Sequence, residues 1–171
     1  AVGNRARMLV SELAGKASLV QKAASLGFDL EGAAVDVQAV LDDIKRREAA
    51  GYSYEVADGS LALLLMRHLG DYRPAFTLES FRVIVDDHED TGALAKDAMS
   101  EATVKIHVGE RRFVSTGEGA GPVGALDNAL RPTIIESYPQ VAAMDLIDYK
   151  VRLLDESQGT DAITRVTITS A

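Results

Sequence analysis

Between residues 18 and 70 apolar residues recur at the spacing of helices. Val37, Val40, Leu41 and Ile44 form one stripe, with Asp42/Arg46 and Asp43/Arg47 as i,i+4 pairs on the opposite side. Gly51 then supplies a left-handed stop. An earlier helix is predicted over Ser18–Leu26, ending at Gly27. A later one begins with Asp58 as N-cap, carries Leu61, Leu64, Leu65 and Leu69, and ends at Gly70. After Pro74 the period switches from 3.6 to 2. In Ala102–Val108 every second residue is apolar, and Gly109-Glu110 separates this run from Arg111–Thr116, which predicts a hairpin with one buried face. Phe81–Val85 reads as a third strand. The glycine-rich stretch Thr116–Pro122 leads into a helix from Val123 to about Glu136, with Leu126, Ala129 and Leu130 inward and Pro132 forcing a kink or an early stop.

The alternation then restarts. Leu146–Leu154 places Ile147, Tyr149, Val151 and Leu153 on one face and Asp148, Lys150 and Arg152 on the other, and a turn at Asp155–Gly159 leads to a further strand over Ala162–Thr169. The predicted class is therefore α+β. A small helical linker subdomain over 1–73 precedes a βββα-type domain over 74–171, whose second repeat looks truncated because a third strand and a helix would be needed to cover its sheet.

Composition narrows the function. With 47% hydrophobic residues and only 14 Gly and 4 Pro among 171, the chain is globular rather than fibrous or disordered. Its net charge of −8 repels phosphate backbones, and five Tyr, four Phe and no Trp leave little for base stacking, so no nucleic-acid partner is expected. No apolar run reaches the roughly 18 residues a membrane span needs, and Ala1–Met8 lacks the apolar core of a signal peptide. The expected setting is the cytoplasm, with no membrane partner. Zero cysteines remove disulfides, thiolate metal sites and cysteine nucleophiles together.

Candidate chemistry is sparse. Asp86-Asp87-His88-Glu89-Asp90 is dense in oxygen and nitrogen donors, but its spacing matches no metal loop and a solvated turn explains it as well. His68, on a helix, and His107, on the polar face of a strand, have no partner at ligand spacing and are expected at the surface. No nucleophile stands beside a base in a recognisable motif. Gly117-Glu118-Gly119-Ala120-Gly121-Pro122 has two readings. Its backbone N–H groups and the following helix N-terminus suit a single carboxylate, such as that of an amino acid, or the stretch is only a tight strand-to-helix connection. A nucleotide phosphate is disfavoured by Glu118 and by the absence of a following Lys-Ser/Thr.

Several segments together resemble one family. Val2-Gly3-Asn4-Arg5 with Leu9–Lys16 is similar to the segment that follows the catalytic barrel in citramalate synthases and their relatives, the 2-isopropylmalate synthases. Glu118–Leu130 resembles the G-x-G-P-V-x-A-L-D-x-A-L run of their regulatory domain. Asp148-Tyr149-Lys150-Val151-Arg152 followed by Gly159-Thr160 resembles the next strand pair and leans the likeness toward citramalate synthases. The resemblance implies a linker-plus-regulatory fragment of an acyltransferase that condenses acetyl-CoA with pyruvate. The catalytic barrel and its divalent metal are not in this chain, so the fragment itself is expected to be inactive and without a cofactor. It also implies a homodimer binding a branched-chain amino acid as feedback inhibitor. Isoleucine is the first choice, and leucine the choice if the relative is a 2-isopropylmalate synthase. Carried onto matching positions, the effector site comprises Gly119, Gly121, Leu126, Asp127, Leu146, Tyr149, Leu153, Thr160 and Ala162. The residue types agree with it: helix-start N–H groups for the carboxylate, Asp127 for the ammonium, and Leu126, Leu146, Tyr149 and Leu153 around an aliphatic side chain. A purely structural dimerisation module stays open as the competing reading, since the same leucines serve equally as core.

Overall fold

The computed structural model describes residues 15–54, 57–86, 99–154 and 161–171. Its elements, in chain order, are helices α1 (Lys16–Ser25), α2 (Val37–Ala49) and α3 (Asp58–Leu69), strands β1 (Thr77–Asp86), β2 (Met99–Val108) and β3 (Arg111–Gly119), helix α4 (Pro122–Ile135), a 3-10 turn at Pro139–Ala143, and strands β4 (Leu146–Leu153) and β5 (Thr164–Ser170). The mixture is α+β, as the period change at Pro74 predicts. The described residues gather into two compact units, one within Ala1–Arg73 and Asp148–Thr169, the other within Pro74–Ile147 and Ser170–Ala171.

In the first unit the predicted stripe forms the core. Val40, Leu41 and Ile44 from α2 meet Leu61, Leu64 and Leu65 from α3 and Leu19 and Ala23 from α1, all buried. Each fully buried leucine here contributes on the order of 2 kcal/mol. Both helix stops use glycine as expected: Gly51 and Gly70 hold φ of 101° and 78°. Asp58 lies inside the first turn of α3 rather than capping it, because Ala57 takes the cap position and its carbonyl accepts from Leu61 N–H at 3.0 Å.

The charge pairs of α2 depart from the expected pattern. Asp42 accepts from Gln38 at 2.8 Å, while Asp43 is 8% exposed and accepts from Arg46, from Arg47 at 3.0 Å, and from His68 on α3, whose Nε2 lies 3.1 Å from Oδ2. His68 is therefore a helix-to-helix contact and not a free surface histidine. Burial opposes charge on Asp43, yet the His68 and Arg47 hydrogen bonds outweigh it and hold its pKa below the ordinary carboxylate value. Arg165 of β5 donates to the carbonyls of Gly51 at 2.6 Å and Tyr52 at 3.3 Å, fastening the strand to the end of α2.

The second unit is an antiparallel sheet in the order β1-β2-β3 with α4 on one face. Ser100, Ala102, Val104, Ile106 and Val108 of β2 are buried against the helix side, while the alternate residues face out. Two boundaries differ from the sequence reading. Strand β1 is longer than Phe81–Val85. Strand β3 runs on through Gly117 to Gly119, so only Ala120 and Gly121 connect it to α4. Helix α4 spans nearly the expected range and runs through Pro132 to Ile135 without an early stop, leaving the Asn128 carbonyl without the N–H that a proline cannot supply.

Candidate functional site

The helix-bearing face of β1-β2-β3 is shaped by the glycines of β3. Gly117 pairs with Ala102 and Gly119 with Ser100 in the ladder. A Cβ on Gly117 would stand 2.3 Å from the Ala129 nitrogen, and one on Gly119 2.6 Å from the Ala125 nitrogen. Helix α4 thus rests directly on the strand backbone, with Ala125 and Ala129 fully buried at the contact. Asn128 fixes the approach by donating from Nδ2 to the Glu118 carbonyl at 2.7 Å.

Because α4 sits mainly over β3 and β2, the β1 side of this face is left open. Phe81, 60% exposed, and Leu78, half exposed, stand there beside the helix. They share that face only because the register shifts between Leu78 and Ser80: Leu78 pairs with Ile106 and Phe81 with Val104, although they stand an odd three positions apart. The result is a groove of about 370 Å³ lined by Phe76, Leu78, Phe81, Val104, Val123, Leu126, Asp127 and Leu130. Its size lies in the range of small-molecule sites. Seven of those eight side chains are apolar, and Asp127 is the charged one.

Both oxygens of Asp127 are engaged by Arg131, one turn on. Nε donates to Oδ2 at 3.0 Å, and Nη2 reaches Oδ1 at 3.1 Å and Oδ2 at 2.9 Å. At the start of the helix, Gly121 is the N-cap in extended backbone and has no atom within 4 Å of where a Cβ would lie. The first intrahelical bond runs from Ala125 N–H to the Gly121 carbonyl at 3.0 Å. The N–H groups of Val123 and Gly124 precede it and have no intrahelical acceptor.

The fold brings Gly119, Gly121, Leu126 and Asp127 together at the end of β3 and the first turns of α4. Leu146 belongs to the same compact unit and opens β4, where strand alternation puts it on the face opposite Tyr149 and Leu153. Leu146, Tyr149 and Leu153 are 52%, 41% and 47% exposed, so none is core. Tyr149, Leu153 and Ala162 belong to the other unit, and Thr160 lies outside the described residues. A second cavity, about 440 Å³, lies along Ala50–Ser53 and Ile163–Ile168, with mixed polar walls and none of the predicted residues. Of the acidic run at Asp86–Asp90, Asp87 to Asp90 fall outside the described residues, and among those described no three His, Asp or Glu side chains converge into a metal-binding group.

Residues 55–171 match the model of the LeuA allosteric (dimerisation) domain. The chain belongs to that family. Along 99% of its length it is similar to proteins named (R)-citramalate synthase: 47% identical over 172 residues to that of Streptomyces coelicolor, 40% over 170 to that of Geobacter sulfurreducens, and 38% over 169 to that of Aquifex aeolicus. It spans 31% of the length of each of these relatives. The glycine-proline run of β3–α4, which carried the resemblance to this domain, lies within the matched residues. No helix among its described residues is long and apolar enough to cross a membrane.

Within this LeuA-type domain, the sequence did not point to the sheet side of the groove, Phe76, Leu78, Phe81 and Val104, nor to Val123 and Leu130 as groove residues on α4. The alternation of Leu78, Ser80 and Arg82 places Leu78 and Phe81 on opposite faces. Only the bulge at Glu79 unites them, and no glycine or proline marks it.

Proposed function

We propose that this chain is the feedback-sensing, homodimerising part of a citramalate synthase-like enzyme, and that it binds a branched-chain amino acid, isoleucine in the first place. The observation that carries this reading is the apolar groove with a single carboxylate in its wall. The groove takes an aliphatic side chain, Asp127 takes the ammonium, and the Val123 and Gly124 N–H groups take the carboxylate. In this reading Gly119 and Gly121 shape the helix start, while Leu146, Tyr149, Leu153, Thr160 and Ala162 are effector positions by resemblance to the family's pattern alone. The condensation of acetyl-CoA with pyruvate, and the divalent metal it uses, belong to the remainder of the longer relatives. Inhibition then follows from differential affinity: an amino acid that binds one arrangement of the regulatory dimer more tightly biases the attached catalytic part toward it.

A second reading, a dimerisation module without an effector, is favoured by two observations. Gly117 and Gly119 are fully accounted for by helix packing, and Asp127 already has a cation on it. Titration calorimetry of the full chain with isoleucine, leucine and valine separates the two. The effector reading expects heat from isoleucine, weaker heat from leucine, since a hydrophobic pocket discriminates such side chains by only about 1–3 kcal/mol, and loss of the signal in Asp127→Ala. Silence from all three amino acids leaves the dimerisation module. Stronger heat from leucine than from isoleucine transfers the reading to a 2-isopropylmalate synthase.

A further inference from the structure

Arg131 is engaged at both ends. While Nε and Nη2 hold the Asp127 carboxylate, Nη1 donates to the carbonyls of Val141 at 2.7 Å and Met144 at 2.8 Å. The side chain is three-quarters buried between them. Those two carbonyls belong to the turn that leads into β4. The Met144 N–H bonds the Val141 carbonyl at 3.2 Å, and the next residue, Asp145, exchanges both backbone hydrogen bonds with Ala171, at 2.8 and 3.1 Å. One guanidinium therefore joins a helix carboxylate to the entry of the second strand pair.

A guanidinium is planar and rigid, so its two forks cannot be reoriented independently. A change at the carboxylate end displaces the carbonyl end. Neutralising Asp127, or bringing a second cation onto its oxygens, weakens the charge-assisted fork and releases the guanidinium toward the turn or toward solvent. A lysine in its place keeps the charge but has no fork with which to bridge carboxylate and carbonyls at once.

We propose that Arg131 is a positioning residue that reports the state of the Asp127 carboxylate to the Val141–Met144 turn and so to the start of β4. The relay itself stands on the geometry alone. That its natural trigger is the ammonium of an amino acid rests on the effector reading above.

The test is amide hydrogen exchange of the full chain, read at Met144 and Asp145, with Val104 and Ile106 of β2 as internal reference. Without any amino acid, Asp127→Asn and Arg131→Lys each speed exchange at Met144 and Asp145 by at least about threefold, the size of a lost partly exposed charged fork, and leave β2 unchanged. Unchanged exchange at Met144 and Asp145 in both variants overturns the relay, whatever binds to the domain. With saturating isoleucine, the wild-type chain shows altered exchange at the same two amides and Arg131→Lys does not. An equal change in both proteins also overturns the relay. Absence of calorimetric heat from wild type contradicts the effector reading but leaves the first comparison to decide the relay.

Discussion

Two acidic side chains show how far a residue's environment exceeds its sequence context. Asp43 reads as half of an exposed i,i+4 pair, and Arg47 is indeed its partner, but His68, 25 residues later, closes over it and turns the pair into a part-buried cluster. Nothing local to either residue encodes that contact. Glu79 is the extra residue of the β1 bulge and reaches across His107 on β2 to Arg112 on β3, with oxygens 2.7 and 2.9 Å from the guanidinium. That hydrogen bond, with the Arg112 charge and against an opposing desolvation, pulls its pKa from 4.5 to about 2. A depressed folded-state pKa contributes stability above the unfolded value and loses it as protons bind the folded state. Stability is therefore expected to fall as pH drops from about 4.5 to about 2, and Glu79→Gln to show a shallower fall over that window. Denaturant titrations of both proteins at pH 7, 4 and 2.5 check this, and parallel curves for the two would remove the pair from the account.

At the scale of elements, the β3–α4 junction is where sequence and structure agree on position and differ on cause. The glycine run and Pro122 mark the strand-to-helix passage, and Leu126, inward by spacing, and Asp127, singled out by resemblance, both line the groove. The glycines themselves serve packing first, since a helix laid on backbone tolerates no Cβ at Gly117 or Gly119. Gly117→Ala is expected to cost about 1–3 kcal/mol of unfolding free energy, the usual range for forced overpacking, with Gly119→Ala nearly as severe and Gly121→Ala, which meets open space and loses only a better N-cap, milder than either. Chemical denaturation of the three variants measures this, and equal stabilities would contradict the close approach. The helices of the first unit, with their apolar stripes and glycine stops, were legible almost residue for residue. Strand ends were not, because β1 and β3 extend through polar and glycine positions that only ladder partners hold in place.

At the scale of the whole molecule, the chain carries a LeuA allosteric (dimerisation) domain over residues 55–171, and strands of each unit leave large apolar side chains exposed, among them Phe81, Ile147, Val151 and Ile168 at 57–63% exposure. Contiguous patches of such side chains mark interaction sites, in keeping with a family named for dimerisation. The family was readable from the order of three motifs. The groove was not, since its walls come from β1, β2 and α4 and depend on a bulge. In the proposed function, this groove with Asp127 in its wall receives a branched-chain amino acid. Methyl-resolved NMR of the chain during titration with isoleucine tests it most directly. Saturable shifts at the methyls of Leu78, Val104, Val123, Leu126 and Leu130, lost in Asp127→Ala, are predicted. Unmoved groove methyls at millimolar isoleucine, or shifts confined to residues away from α4 and β1, would contradict it.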